Sequence, residues 1–347
     1  MCRPNRIRES TGKVSVGNGW QAHAHIVGIV ILAVLLSKVG NCFHVEYQPP
    51  RYRPVEPKMT LRDILLHPDG FHLALAPAFF GFYGYFGALA AWEDQVDSAI
   101  FEKSRVKSVA GASAGAMAAI LLSAGVSPNE AAVFCSNNVT LSKFADFPAL
   151  LALFRGNAFQ KTIHQFLREA RPHQSLLIED AVIPVAVSAF DLQTLQGRIL
   201  QRGSMARAAR ASATFPILFQ PVGWKCDDSQ DDYVLIDGGI GDIHGWKGLG
   251  PFVKHKSRII HIQMGTALYS PPGPSAFRSA LSRQDIDEVQ VISILLTNLP
   301  QPGPWALEKG PVALEMARKA MSRALDQPMR LGKEDRHLIL EVDASSV

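Results

Sequence analysis

Residues 106–125 read VKSVAGASAGAMAAILLSAG, and this stretch decides the fold class. Val106–Ala110 is a short β-prone run, and the segment rich in Ala, Leu and Met that follows Ser113 is a strong helix former. Between them, residues 111–115 form a G-x-S-x-G pentapeptide. A strand that turns sharply into a helix around such a serine is the arrangement of a nucleophile elbow. The stretch therefore predicts a strand–turn–helix unit with Ser113 at its turn.

The small residues around Ser113 permit the strained backbone that such an elbow needs, with Gly111 and Gly115 on either side. A serine at the beginning of a helix also lies where backbone amides and the helix dipole favour developing negative charge. The alternative is a plain helix N-cap serine after a glycine turn. The pentapeptide by itself leaves both readings open.

The rest of the chain alternates short apolar runs with helical patterns, which predicts an α/β fold with a mostly parallel sheet covered by helices on both faces. Residues 182–189 (VIPVAVSA) form an almost continuous apolar run, as expected of a strand that is buried on both faces. Further strands are predicted at Phe71–Ala76, Val234–Ile236 and Ile259–Met264, and further helices at Gly84–Glu93 and Val312–Leu325. The apolar stretch Ile292–Leu299 is expected to complete the packing.

A serine hydroxyl needs a neighbour that accepts its proton. Asp237 is the strongest candidate, because it directly follows an apolar run and precedes Gly238 and Gly239, so that its carboxylate would emerge at the carboxyl edge of a strand. A turn aspartate before two glycines is the ordinary alternative. The histidines after Ser113 are rival bases, and none lies in a distinctive turn: His164, His173, His244, His255 and His261.

A glycine-punctuated turn precedes the serine: residues 80–87 read FGFYGYFG. Backbone amides in such a turn can bind a tetrahedral oxyanion; alternatively, it is a structural loop whose aromatic residues pack. It is not a phosphate-binding loop, since no Gly-Lys-Ser/Thr follows, and its spacing fails the dinucleotide-binding fingerprint.

These three pieces, in this order, resemble the patatin-like phospholipase family, which carries a glycine-rich turn, a G-x-S-x-G elbow and a D-G-G or D-G-A. Residues 208–222 (AARASATFPILFQPV) are similar to the family segment that precedes the aspartate strand, and Ala186–Leu192 resembles an earlier strand and aspartate. The resemblance covers about residues 71–264.

The resemblance implies a three-layer fold and a Ser113–Asp237 dyad that needs no histidine, metal or organic cofactor. Asp237 would take the proton from Ser113, amides of Gly81, Phe82 and Tyr83 would hold the oxyanion, and water would release the acyl group. The implied substrate is a lipid ester of the phospholipid, galactolipid or acylglycerol type.

The turn departs from the family pattern, with Phe80 in place of a glycine and Tyr83 in place of a basic residue. A lipid-binding or regulatory protein with weakened catalysis is therefore one alternative function. An acyltransferase is another, and a Ser–Asp–His α/β-hydrolase is the rival mechanism. The aromatic residues of the turn either line an acyl channel or fill the core: Phe79, Phe80, Phe82, Tyr83, Tyr85 and Phe86.

The N-terminal region differs from the rest. Ile26–Leu36 is an apolar stretch of signal-peptide length after a basic segment, so we expect targeting to, or anchoring at, a membrane; an apolar helix packed on the main domain is the alternative. Prolines at 49, 50, 54 and 57 indicate a linker. The predicted division is residues 1–59, a targeting segment with linker, and residues 60–347, the acyl hydrolase domain.

Composition adds exclusions. A hydrophobic content of 47% argues against a mostly disordered chain. The formal net charge of +4 and the lack of a Lys/Arg run give no sign of nucleic-acid binding. Cys2, Cys42, Cys135 and Cys226 are too scattered to predict a disulfide framework or a zinc site.

Overall fold

The computed structural model describes residues 59–102, 104–140, 143, 146, 152–225, 232–265, 271–283 and 285–346. The predicted targeting segment at residues 26–36 and the Pro-rich linker lie outside the described residues, so both stay predictions. Among the described helices, none is both long enough and apolar enough to cross a membrane.

The described strands form one ten-stranded mixed sheet, in the order β5-β6-β3-β2-β1-β7-β8-β10-β9, with β4 paired to β3. The strands are β1 (Phe71–Leu75), β2 (Val106–Ala112), β3 (Val185–Asp191), β4 (Gln196–Leu200), β5 (Val222–Lys225), β6 (Asp232–Ile236), β7 (Arg258–Met264), β8 (Gln290–Thr297), β9 (Arg330–Leu331) and β10 (His337–Asp343). The six central strands, β3-β2-β1-β7-β8-β10 in spatial order, run parallel to one another. The remaining strands, β4, β5, β6 and β9, pair antiparallel with their neighbours.

Eight α-helices are described in the same residues. They are α1 (Leu61–Leu65), α2 (Phe82–Gln95), α3 (Ala114–Ser123), α4 (Pro128–Asn138), α5 (Asn157–Ala170), α6 (Met205–Ser212), α7 (Pro274–Leu281) and α8 (Lys309–Ala324). Helix α3 contains ten residues, all buried, as the Ala- and Leu-rich sequence after Ser113 predicts.

The sheet separates two hydrophobic clusters because successive side chains of a strand point to opposite faces. In β1, Leu73 and Leu75 belong to the larger cluster, which also contains the buried residues of α2, α3 and α8. Ala74 belongs to the smaller cluster, which contains Trp246 and Phe277 of α7. The predicted α/β fold, a mostly parallel sheet covered on both faces, is therefore confirmed.

Element boundaries differ from the predictions where local chemistry decides them. Strand β3 begins at Val185 rather than at Val182, directly after Pro184, which has no amide for the ladder. Helix α2 begins at Phe82, two residues before the predicted start at Gly84, with Gly81 as its N-cap. Two of the predicted oxyanion residues, Phe82 and Tyr83, therefore lie in the first turn of a helix rather than in a loop.

Strand β6 runs antiparallel to β3, contrary to the simple picture in which Asp237 ends a parallel strand. Only the last residues of the two strands pair, Phe190 with Ile236 and Asp191 with Leu235. Asp237, which follows Ile236, therefore lies level with the carboxyl end of β3. Ser188 of that strand is in turn the register partner of Ala112, the last residue of β2. The antiparallel strand thus delivers Asp237 to the edge at which β2 ends.

Candidate active site

Ser113 lies between β2 and α3 and is the N-cap of α3, with φ 54° and ψ −122°. This left-handed φ is uncommon for a residue other than glycine and carries strain that a functional site can use. The turn is closed by near contacts: a Cβ at Gly111 would lie 2.3 Å from the Gly115 carbonyl oxygen, and one at Gly115 would lie 2.1 Å from the Leu75 oxygen. Both predicted elbow glycines are therefore sterically required.

Asp237 is the hydrogen-bond acceptor of Ser113. The Ser113 Oγ donates to Asp237 Oδ2 at 2.7 Å, and the Gly239 amide donates to Asp237 Oδ1 at 2.8 Å. The close approach of this segment depends on Gly238, where a Cβ would lie 2.0 Å from the Ser188 carbonyl oxygen. The structure thus brings together the two residues that are 124 positions apart in the chain.

The environment of Asp237 makes it a stronger base than an ordinary carboxylate. Its side chain is 5% exposed. Burial disfavours the charged form and raises the pKa to about 6, although the hydrogen bonds from Ser113 and Gly239 oppose this rise. An aspartate with this pKa is still mostly ionised at neutral pH, and it binds a proton more readily than one at the usual value.

A buried hydrogen-bond chain holds the elbow from behind. The Ser113 amide donates to Ser212 Oγ at 2.9 Å, and Ser212 Oγ donates to the Ser188 carbonyl at 2.5 Å. The Ser188 hydroxyl donates to Asp242 Oδ2 at 2.6 Å. Sequence reasoning assigned no role to Ser212, although it lies in the quoted segment 208–222. The signal was a serine among small residues in that segment.

A cavity of about 40 Å³ opens beside Ser113 and is otherwise lined by apolar residues. Its aromatic lining comes from three parts of the chain: Phe79, Phe80 and Phe82; Phe159; and Phe215 and Phe219. The aromatic residues of the glycine-punctuated turn therefore divide between the two predicted roles. Phe79, Phe80 and Phe82 line this cavity, whereas Tyr83, Tyr85 and Phe86 are buried in the core.

The three predicted oxyanion donors, Gly81, Phe82 and Tyr83, have different surroundings. The Gly81 amide donates to the Ala78 carbonyl at 3.2 Å. Tyr83 stacks on Phe82, and its ring fills the space at Gly310. Phe82 is the one of the three that lines the Ser113 cavity, and its amide belongs to the first helical turn, whose amides have no partner within the helix. The oxyanion assignment stays a prediction.

The histidine alternatives have other surroundings. The side chain of Asp237 has Ser113 and Gly239 as its hydrogen-bond partners in the described residues, and neither is a histidine. His261 is fully buried and bonds the His244 carbonyl at 3.0 Å. Burial lowers the pKa of both His244 and His261. In the described part of the chain, no cluster of three metal-ligating side chains is present.

Asp191 of the quoted segment Ala186–Leu192 has a structural environment. Its side chain is fully buried and accepts hydrogen bonds from the Thr194 hydroxyl at 2.6 Å, the Gln193 amide at 3.2 Å and the Val234 amide at 3.3 Å. It therefore fixes the turn after β3 and the position of β6, the strand that carries Asp237.

Residues 79–245 match the model of the family described as patatin-like phospholipase. This range includes the elbow, the Asp-Gly-Gly segment and every residue that lines the cavity at Ser113. This stretch, just under half of the chain, is therefore similar to a patatin-like phospholipase domain, which at the level of the family is a lipid acyl hydrolase domain.

Solved structures with a similar arrangement include VipD from Legionella pneumophila, with a TM-score of 0.46 and 14% identity over 75% of this chain and 67% of that one. ExoU from the type III secretion system of Pseudomonas aeruginosa, in complex with SpcU, has a TM-score of 0.40 and 15% identity over 82% and 59% of the two chains. This chain thus spans between about half and two thirds of these proteins. No curated protein matches it in sequence.

Proposed function

We propose that this protein hydrolyses acyl esters of lipids, with Ser113 as nucleophile and Asp237 as proton acceptor. The observation that carries the proposal is the 2.7 Å hydrogen bond from Ser113 Oγ to the buried Asp237 carboxylate. It lies within the distance at which a base can take a proton from a nucleophile. The apolar lining of the small cavity at Ser113, about 40 Å³ in volume, favours an apolar group beside the reacting carbonyl.

The proposed reaction has two stages, acylation and deacylation. Asp237 accepts the hydroxyl proton as Ser113 Oγ attacks the ester carbonyl, and we expect the resulting oxyanion to accept hydrogen bonds from amides at the beginning of α2, including that of Phe82. The protonated Asp237 gives its proton to the departing alcohol, which leaves an acyl-serine. A water molecule then attacks the acyl group while Asp237 accepts its proton. The carboxylic acid leaves, and the proton returns to Ser113 Oγ.

The proposal is tested by fluorophosphonate labelling and short-chain ester hydrolysis with wild type, Ser113→Ala and Asp237→Asn. We expect no labelling or turnover in Ser113→Ala, and a loss of turnover in Asp237→Asn of about 10²–10⁴-fold, the range of a general base. Ser123→Ala is the matched control, because Ser123 is a buried serine of the same helix that donates only to the Ile120 carbonyl. Absent labelling in folded wild type would contradict the proposal and favour a lipid-binding role.

A further inference from the structure

The cavity at Ser113 is smaller than a long acyl chain. Its volume is about 40 Å³. A cavity of roughly 150 Å³ holds one benzene molecule, which is itself smaller than the acyl chain of a typical lipid. A second cavity has a volume of about 400 Å³, but Ser113 does not line it. The space that could hold a long chain is therefore separated from the nucleophile.

A short turn forms the wall between the two cavities, because Ala78, Phe79 and Phe80 line both of them. Phe79 is 48% exposed and its ring contacts that of Phe215, with 5.3 Å between the centroids, so it lies on the solvent side of the wall. Phe80 is half-buried, and its ring contacts those of Phe79 and Phe82 at centroid distances of 5.0 and 6.1 Å. Phe80 therefore supplies the inner part of the wall.

The backbone at Phe80 has a conformation that suits glycine. The Gly81 amide donates to the Ala78 carbonyl at 3.2 Å and closes a four-residue turn in which Phe80 is the third residue. The φ angle of Phe80 is 51°. A positive φ at this position of a turn is typical of glycine, because a side chain there crowds the backbone. A phenylalanine held in this strained conformation indicates that its ring has a role.

The larger cavity has a lining that an acyl chain could contact. None of the described residues that line it is Lys, Arg, Asp or Glu, and much of the lining is apolar, including Met264, Leu299 and Ala313. Each methylene group that is buried in apolar surroundings strengthens binding by about fourfold. A chain that entered this cavity from Ser113 would therefore bind more tightly with each added carbon, and the wall lies across that path.

From these observations we infer that Phe80 is a specificity-determining residue, whose ring closes the cavity at Ser113 against the larger one and limits the substrate to a short acyl group. The inference rests on the proposed hydrolase function and names its substrate class, which is lipid esters of short-chain acids. Removal of the ring would join the two cavities, so that a longer acyl chain could extend from Ser113 into the larger cavity.

The test measures kcat/KM of the full chain for p-nitrophenyl butyrate and p-nitrophenyl octanoate, both below their micelle concentrations. We expect wild type to prefer the butyrate. In Phe80→Gly and in Phe80→Ala, the ratio of octanoate to butyrate should rise by about tenfold or more, because the octanoyl group can bury additional methylene groups. The ratio cancels any loss of rate common to both esters, such as one caused by a shift of the neighbouring Gly81 and Phe82 amides.

Leu195→Gly is the matched control, because Leu195 also has a positive φ, 56°, but is 66% exposed and lines neither cavity. Its ratio should equal that of wild type. Leu299 lines the larger cavity alone, so Phe80→Gly combined with Leu299→Trp should fill that cavity and return the ratio towards the wild-type value. A wild-type preference for the octanoate, an equal ratio in Phe80→Gly and Leu195→Gly, or a raised ratio that persists in the double variant would overturn the inference.

Fluorophosphonate labelling in the same samples distinguishes this inference from the proposed function. Labelling and turnover that depend on Ser113, with the same ester ratio in wild type and in both Phe80 variants, would contradict the role of Phe80 and leave the dyad intact. Folded wild type that is not labelled and hydrolyses neither ester would contradict the hydrolase and, with it, the inference about its acyl group.

Discussion

The raised pKa of Asp237 places the loss of its charge near pH 6. Its pKa is raised to about 6 by burial, and only the carboxylate can accept the proton of Ser113. We therefore expect kcat/KM for a soluble ester to fall tenfold for each pH unit below about 6 and to be nearly constant from pH 7 to 8. A pH–rate profile on an uncharged short-chain substrate measures this. A midpoint near the ordinary value of 3.8 would show that burial does not raise the pKa of the base, and an unchanged midpoint and rate in Asp237→Asn would show that Asp237 is not the base.

The carboxyl group of Asp237 affects stability in the opposite direction from activity: acid lowers the activity but favours the folded state. A group with a higher pKa in the folded than in the unfolded chain stabilises the folded state in acid, and this contribution is lost as the pH rises through the folded value. A rise from 3.8 to about 6 corresponds to roughly 3 kcal/mol. We expect Asp237→Asn to increase the free energy of unfolding by up to that amount at pH 8, and by much less at pH 4. Urea unfolding at both pH values measures the difference.

Ser212 accepts a hydrogen bond from the Ser113 amide and does not line the cavity at Ser113, so we expect it to be a positioning residue. Replacing it with alanine leaves that amide and the Ser188 carbonyl without their hydroxyl partner, at a cost of about 1–3 kcal/mol. We expect Ser212→Ala to lower kcat by about tenfold with little change in KM. Steady-state kinetics and urea unfolding test this, with Ser123→Ala as the buried serine whose loss should leave kcat unchanged. Equal kinetics in the two variants would argue against the role.

At the scale of elements, the elbow depends on how closely β2, α3 and β1 approach one another. A Cβ at Gly115 would lie 2.1 Å from the Leu75 carbonyl, which belongs to the backbone of β1 and cannot move aside alone. We expect Gly115→Ala to cost more than 2 kcal/mol of stability and to abolish labelling of Ser113. Gly223→Ala is the matched control, because a Cβ there has no atom within 4 Å. Its unfolding free energy should lie within about 0.5 kcal/mol of wild type.

The antiparallel strands of the sheet explain how Asp237 is positioned. Strands β4, β5 and β6 are antiparallel additions to the parallel centre, and Asp191 bonds the Val234 amide of β6 at 3.3 Å. This contact fixes the register in which Asp237 reaches Ser113. A carboxyl at the end of an antiparallel strand can therefore take the place that a parallel strand would give it.

At the scale of the whole molecule, helix α1 belongs to the folded domain. Leu61, Ile64 and Leu65 are at most 1% exposed, and the Arg62 Nε atom donates to Asp326 Oδ1 at 2.6 Å. A fragment of residues 59–347 should therefore unfold cooperatively and hydrolyse a short-chain ester as the full chain does. A fragment of residues 71–347 loses three buried side chains, each worth roughly 1.5–3 kcal/mol.

Circular dichroism during urea unfolding compares the two fragments. Equal stability of both would place the beginning of the domain after α1. Failure of the longer fragment to fold would show that residues before Met59 are part of the domain, contrary to the predicted division at residue 60.

The sequence by itself determined the α/β class, the mostly parallel sheet and the candidate pair of residues. These depend on local signals: apolar runs of strand length, the strong helix former after Ser113, and glycines whose spacing marks tight turns. The first residues of α2 and β3 differ from the predicted ones. Gly81 acts as the N-cap of α2, and Pro184 lacks an amide for the hydrogen bonds of the sheet, and both effects depend on neighbouring segments. Ser212 gave only a weak signal, since its partners lie in separate segments of the chain.

Tertiary structure alone decided the antiparallel course of β6, the 2.7 Å contact of Ser113 with Asp237 and the rise of the Asp237 pKa. It also decided which aromatic residues line the cavity at Ser113. These properties have one physical reason. Each depends on the distance between residues far apart in the chain and on the exclusion of water around them, and a one-dimensional pattern specifies neither.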